Sequence, residues 1–249
     1  AGEREFLERA RHTYITSESS QDRLIRSLVL RTLAPFLNGG SALELGCSDG
    51  YMTGLIAHHV QTLDVVDGCR TFLEEAKKCN LQNVCFHHSL FEEFVPEAPY
   101  DAVFATFVLE HVIAPRAVLR MAHAALKPGG LLMTVVPNAR ALSRQLARHM
   151  GLVRELTDLT PNDVNHGHRR VYDRVTLNRE LDQAGFESIA QGGILLKPLA
   201  DFQMEKLIEL GILGEPQIEG LYALGMEHPD LCGCIFSVSR PSVRVGQTV

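Results

Sequence analysis

Ser41-Ala42-Leu43-Glu44-Leu45-Gly46-Cys47-Ser48-Asp49-Gly50 is a short apolar run that breaks into a glycine-rich turn. Residues 41–47 read as a buried strand, and a helical pattern follows from about Gly50 to His59. At such a junction Gly46 and Gly50 let the backbone turn tightly and let a ligand lie against it, while the helix start offers free N–H groups. Taken alone, the turn is equally compatible with a tight strand-to-helix connection that binds nothing.

The same alternation repeats on the C-terminal side. Residues 61–68, 84–89, 101–107 and 131–137 read as strands, and 69–79 as a helix with two acidic residues ahead of two lysines. Pro115 suits a first helical turn, Ala117, Val118, Met121, Ala122, Ala125 and Leu126 recur at helical spacing, and Pro128-Gly129-Gly130 stops that helix. Repeated βαβ units predict a parallel sheet, and the near-continuous apolar run 131–137 predicts a strand buried on both faces. Asp173 is placed to cap a helix that ends at Gly185, and 186–193 and 233–240 read as two last strands. The expected organisation is one domain over 1–249, with an N-terminal helical cover over 1–37 and lid insertions at 139–171 and 194–231.

Composition narrows the classes. The chain has 249 residues, 45% apolar and 22% charged, enough for a full core. No apolar stretch is long enough for a membrane helix, and the start, AGEREFLERARH, is too charged for a secretory signal, so a soluble cytoplasmic protein is expected. A net charge of −6 argues against a nucleic-acid partner. Six cysteines stand without a CxxC pair or compact framework, which disfavours disulfides; Cys232 and Cys234, two apart, have no obvious partner pair nearby to complete a zinc site and read as core.

A second element strengthens the glycine turn. Asp67 ends the second strand, where a carboxylate can accept hydrogen bonds from both hydroxyls of a ribose, a chemistry shared by nicotinamide and adenosyl cofactor sites. The loop reads E-x-G-x-S-x-G, which departs from the G-x-G-x-x-G of dinucleotide binders. Glu44–Gly50, the acidic end of DVVDG, YDAVFATFVLEHV (100–112) and LKPGG (126–130) together resemble the ordered motifs of class I S-adenosylmethionine-dependent methyltransferases. The resemblance covers residues 40–137 closely and the later strands more loosely. Ser48 stands where that family usually has glycine, and Ser89 where many members have aspartate.

The resemblance implies an α/β, Rossmann-like, seven-stranded, mostly parallel sheet with helices on both faces, the last strand antiparallel. It also implies S-adenosyl-L-methionine as cofactor. Glu44, Gly46, Cys47, Ser48, Gly50 and Tyr51 would surround its methionine part, and Asp67 and Gly68 its ribose. Ser89, Leu90 and Phe91 would line the adenine, with Phe107 and Val108 beside the sulfonium.

Methyl transfer to a hydroxyl needs a positioned acceptor and a proton acceptor. His111, in the Glu110-His111 pair after the fourth strand, and His166 are the candidate bases; for His111 the alternative is a helix-start histidine bonded to backbone. His168, Arg169, Arg170 and Tyr172, in a loop dense in histidine and arginine, are candidate acceptor contacts, as is Tyr14 if the N-terminal helices cover the site. No metal set is assigned. The segment after strand four, ATFVLEH, lacks the Asn/Asp-Pro-Pro-aromatic clamp for planar nitrogens. A small-molecule acceptor is therefore expected, oxygen ahead of amine nitrogen, in natural-product or sugar tailoring. A homo-oligomer is compatible with the sequence. A non-catalytic scaffold subunit and a nicotinamide oxidoreductase are the competing readings.

Overall fold

The computed structural model describes residues 19–242, so Tyr14 and the first half of the expected N-terminal cover lie outside the described residues. Helix α1 (Ser20–Leu33) leads to β1 (Ser41–Leu45), α2 (Tyr51–Ala57), β2 (Thr62–Asp67), α3 (Arg70–Ala76), β3 (Val84–His88) and β4 (Tyr100–Thr106). Then come α4 (Pro115–Ala125), β5 (Leu126–Pro137), α5 (Leu142–His149), α6 (Pro161–Asn165), α7 (Arg174–Gln183) and β6 (Phe186–Leu196). Helices α8 (Asp201–Glu209) and α9 (Glu215–Glu227) precede β7 (Cys232–Pro241).

The strands form one sheet of seven in the order β3-β2-β1-β4-β5-β7-β6. The first five run parallel, and β7 enters antiparallel between β5 and β6. Chain order reverses between β1 and β4, so the crevice for a ligand opens at the carboxyl ends of β1 and β4.

Both sheet faces are buried, which is why the strands read as apolar runs rather than as alternating ones. One face packs Ala42, Val65, Phe104 and Met133 against α1, α2 and α3. The other packs Leu43, Val103, Leu132 and Ile235 against α4 and α7. Thr160 and Asp173 open α6 and α7 with reciprocal side-chain caps.

Two boundaries differ from the sequence reading. Helix α4 stops at Ala125, before the Pro-Gly-Gly, because Leu126 already pairs with Tyr100 and the segment 126–130 is extended. A Cβ on Gly130 would lie 2.9 Å from the Tyr100 carbonyl oxygen, so this close strand approach needs glycine. The stretch 160–167, expected as loop, contains the single turn α6, made possible by the Thr160–Asp163 cap. All six cysteines are free, with Cys232 and Cys234 in the core.

Candidate active site

A cavity of about 1000 Å³ opens at the carboxyl ends of β1, β2, β4 and β5, bounded by α1, α5, α6 and α8. At its sheet end the β1–α2 turn is built from left-handed residues: Gly46 at φ +79°, Ser48 at +47° and Gly50 at +80°. Ser48 thus takes a conformation in which glycine is favoured. Gly50 serves packing, because a Cβ there would sit 2.7 Å from the Ala76 Cα of α3.

Asp67 lies at the floor, only 6% exposed. Its two oxygens accept the backbone N–H groups of Cys47 (3.0 Å) and Cys69 (2.8 Å), which fixes the carboxylate while leaving lone pairs free for a ligand. Burial pushes its pKa up, and the amides offset that only in part. Gly46, Cys47, Ser48, Asp67 and Gly68 line this end, Leu90 and Phe91 form its side, and Phe107 and Val108 close it at the tip of β4. Phe107 is held at φ +58°, its N–H bonded to the Val135 carbonyl, a strained backbone of the kind that clusters at functional sites.

Four of the expected cofactor residues do not line the cavity. Glu44 is fully buried behind the turn, with neither carboxylate oxygen hydrogen-bonded. Burial pushes its pKa up to about 8, against the pull of the neighbouring Thr53 hydroxyl. Gly50 faces Ala76, the Tyr51 hydroxyl shares a hydrogen bond with Ser27, and the Ser89 hydroxyl turns to the Leu90 carbonyl.

The acceptor end gathers His111, His166 and His168 around the cavity. His111 and His168 meet edge to face with centroids 4.8 Å apart, and the His111 Nε2 stands 4.0 Å from the Glu110 Oε1. Burial, then the charge of His168, pushes the His111 pKa down to about 3, with the Gly167 backbone pulling the other way. Burial alone pushes Glu110 up to about 8, opposed by its own backbone N–H and by Arg170. His168 Nδ1 lies 3.3 Å from Asp163, which also pairs with Arg144 at 3.1 Å. His166 sits at the rim, its Nδ1 2.8 Å from the Asn162 carbonyl oxygen.

Arg169, Arg170 and Tyr172 are not cavity residues. The Arg169 Nε donates to the His111 carbonyl at 2.7 Å, and Arg170 donates to the carbonyls of Leu109, Val112 and Ile113. Both guanidinium groups are thus spent on the segment after β4. Tyr172 is 3% exposed, and its strand bridge with Asn138 ties the start of α7 to β5. The expectation that Arg169, Arg170 and Tyr172 contact the acceptor is therefore corrected: the two arginines fix the loop that carries His111.

The cavity also takes residues outside the expected site set. Glu110, Asp163 and Arg144 lie at the acceptor end, with Lys197 and Asp201 paired at 2.6 Å nearby; Arg26, paired with Asp49 at 2.6 Å, lies at the cofactor end. Only the Thr160-x-x-Asp163 spacing was a readable signal among them. Val112, Ile113, Leu152 and Phe202 give the acceptor end an apolar wall. No helix among the described residues is long and apolar enough to cross a membrane.

Comparison with known proteins agrees with this geometry. A sequence-family profile described as a methyltransferase domain matches residues 17–191. A ubiquinone biosynthesis O-methyltransferase of Idiomarina loihiensis is 26% identical over 204 residues, covering 78% of this chain and 77% of that one. A probable S-adenosylmethionine-dependent methyltransferase of Mycobacterium tuberculosis is 28% identical over 171 residues, covering 69% of this chain and 57% of its own. Among solved structures, the N-methyltransferase NodS of Bradyrhizobium japonicum with S-adenosyl-L-homocysteine superposes with a TM-score of 0.61 at 13% identity, over 94% of this chain and 97% of that one. That last likeness is one of fold.

Proposed function

Because this chain belongs to the methyltransferase-domain family and uses S-adenosyl-L-methionine, we propose that it methylates a hydroxyl oxygen of a small, partly apolar acceptor. The observation that carries this is one continuous cavity with two unlike ends. The Gly46–Asp67 end has the backbone turn and buried carboxylate that an adenosyl group requires. The other end pairs a histidine cluster with the apolar wall of Val112, Ile113, Leu152 and Phe202. The printed name of the Idiomarina relative, an O-methyltransferase, supports oxygen over nitrogen.

When bound, S-adenosylmethionine supplies a methyl group on a sulfonium, an electrophile with a good leaving group. Asp67 would take the ribose hydroxyls, Leu90 and Phe91 would flank the adenine, and Phe107 with Val108 would exclude water from the transfer line. His111 is the acceptor-facing base. Its depressed pKa keeps it neutral at working pH, so it can accept a hydrogen bond from the acceptor hydroxyl. The proton becomes strongly acidic as the oxygen gains its methyl, and even a weak imidazole base then takes it. His168, edge-on to His111 and close to Asp163, would orient that ring, and His166 would contact the acceptor at the rim.

A labelled-methyl assay over matched hydroxyl, carboxyl and amine acceptors tests the reading. Methylated product is expected with hydroxyl acceptors bearing an apolar ring or chain, with His111→Ala slowing turnover about 100-fold and leaving cofactor affinity within about twofold. Turnover confined to amines would overturn the oxygen assignment. Product with unchanged turnover in His111→Ala would move the base elsewhere.

A further inference from the structure

The β3–β4 connection is a second place where unlike donor atoms converge. β3 is the edge strand, and the chain passes from it to β4 with only a short 3-10 turn, Phe91–Glu93, where the other crossovers use α-helices. The sheet face beneath that connection therefore has no helix over β3. Alternation along Val84-Cys85-Phe86-His87-His88 puts Cys85 and His87 on one face, and the parallel register sets Asp64 of β2 opposite Cys85. All three side chains meet on this open shelf. Their ligating atoms lie within 4.8 Å of one another.

We propose that Asp64, Cys85 and His87 form a binding site for a thiophilic divalent cation, zinc foremost, which ties edge strand β3 to β2. The donor set is the argument: one thiol, one imidazole and one carboxylate suit zinc and exclude magnesium or calcium, which want oxygen alone. Bonds of roughly 2.0–2.3 Å in a tetrahedral centre put donors roughly 3.3–3.8 Å apart. The three groups reach that spacing with side-chain shifts of about 1 Å, and the 2.9 Å hydrogen bond between Asp64 and His87 gives way to the metal.

The surroundings favour a cation. The Tyr100 hydroxyl donates to the second Asp64 oxygen at 2.5 Å, the outer partner that orients a ligating carboxylate. Phe94 covers the His87 ring at 5.1 Å between centroids, and half-exposed Asp64 and His87 leave the fourth position open to water. Cys85 is itself exposed, so a metal reaches the shelf without unfolding. This site is separate from the cavity and does not rest on the proposed acceptor. Its strands lead directly into Asp67 and Leu90, so the cation would stiffen the cofactor end from outside.

The test uses cobalt as a spectroscopic probe and zinc as its competitor, on protein freed of any affinity tag. Titration with cobalt should give a near-ultraviolet thiolate-to-cobalt band that zinc abolishes. The band should vanish in Cys85→Ser, persist in Cys79→Ser, the other exposed cysteine, and weaken at least tenfold in affinity in His87→Ala. Zinc should also protect one of the two fast-reacting thiols from alkylation in the unmodified protein and none in Cys85→Ser. Since Cys85 is exposed, the serine variant should keep S-adenosyl-L-homocysteine binding, which verifies its fold. Absence of the thiolate band, or the same isotherm in Cys85→Ser and the unmodified protein, overturns the site.

Discussion

Asp67 and Glu44 are both buried carboxylates near the β1–α2 turn, but they do opposite things. Asp67 is held by two backbone amides and faces the cavity, so Asp67→Ala should weaken S-adenosylmethionine at least tenfold in calorimetry, a loss of about 1.5–3 kcal/mol for hydrogen bonds to a charged group. An unchanged isotherm would remove Asp67 from the ribose. Glu44 has no such partners, and its pKa stands near 8 against an ordinary value of 4.5. With the folded value raised, the unfolded chain releases its proton first, so stability is full below about pH 4.5 and declines as pH rises towards 8. Glu44→Gln should therefore match the unmodified protein at pH 4 and exceed it at pH 8 by several degrees in Tm, measured without ligand. An equal Tm difference at both pH values would contradict an unpartnered Glu44. Both residues stood out in the sequence through their places at strand ends, whereas the contrast between them did not. Partner geometry is set by tertiary packing, and a glutamate in a strand looks the same in sequence whether or not a donor awaits it.

At the scale of elements, the parallel strands were legible because each is an apolar run between turn signals, whereas the order that sets β4 beside β1 was not. The covers were less legible too. Arg169 and Arg170 advertise positive charge, but their targets are carbonyls of residues 109–113, some sixty positions away in the chain, and no local pattern encodes that. Glu110 is equally opaque, because its burial depends on the covers closing over it. Arg170→Ala should act as a loosening of the loop that carries His111, lowering kcat while barely moving cofactor affinity; a selective rise in KM for anionic acceptors would instead return Arg170 to direct substrate contact. Gly50→Ala probes the other junction. It combines a left-handed backbone with a Cβ 2.7 Å from the Ala76 Cα, so a loss of about 2–4 kcal/mol in denaturant unfolding is expected, while a change below 0.5 kcal/mol would mean α3 can move aside.

For the whole molecule, the acceptor end of the cavity titrates differently from free side chains. His111, pushed down to about 3, is already the neutral base throughout pH 5–8, so turnover should show no acid limb near 6.5 that belongs to it. Glu110, pushed up to about 8, instead places a transition on the alkaline side. A pH–rate profile with an acid limb at 6–7 that His111→Asn removes would contradict the burial of that ring. The fold puts this chemistry under helix α8, and α8 is fastened to the start of α1 through two carboxylates: Glu205 accepts the Ser19 hydroxyl at 2.6 Å and the backbone N–H groups of Ser20 and Gln21 at 2.9 and 2.8 Å, and Asp201 accepts the Gln21 side-chain amide at 2.6 Å. Ser19 caps α1 by accepting the Asp22 N–H, and a residue of the roof nearly two hundred positions later takes the two amides that Ser19 leaves over. Any displacement of α8 from α1 breaks these bonds, so the order of the two helix ends is coupled. By reciprocity, a ligand that fills the cavity against α8 should slow amide hydrogen exchange at Ser20 and Gln21, and Glu205→Ala should abolish that slowing.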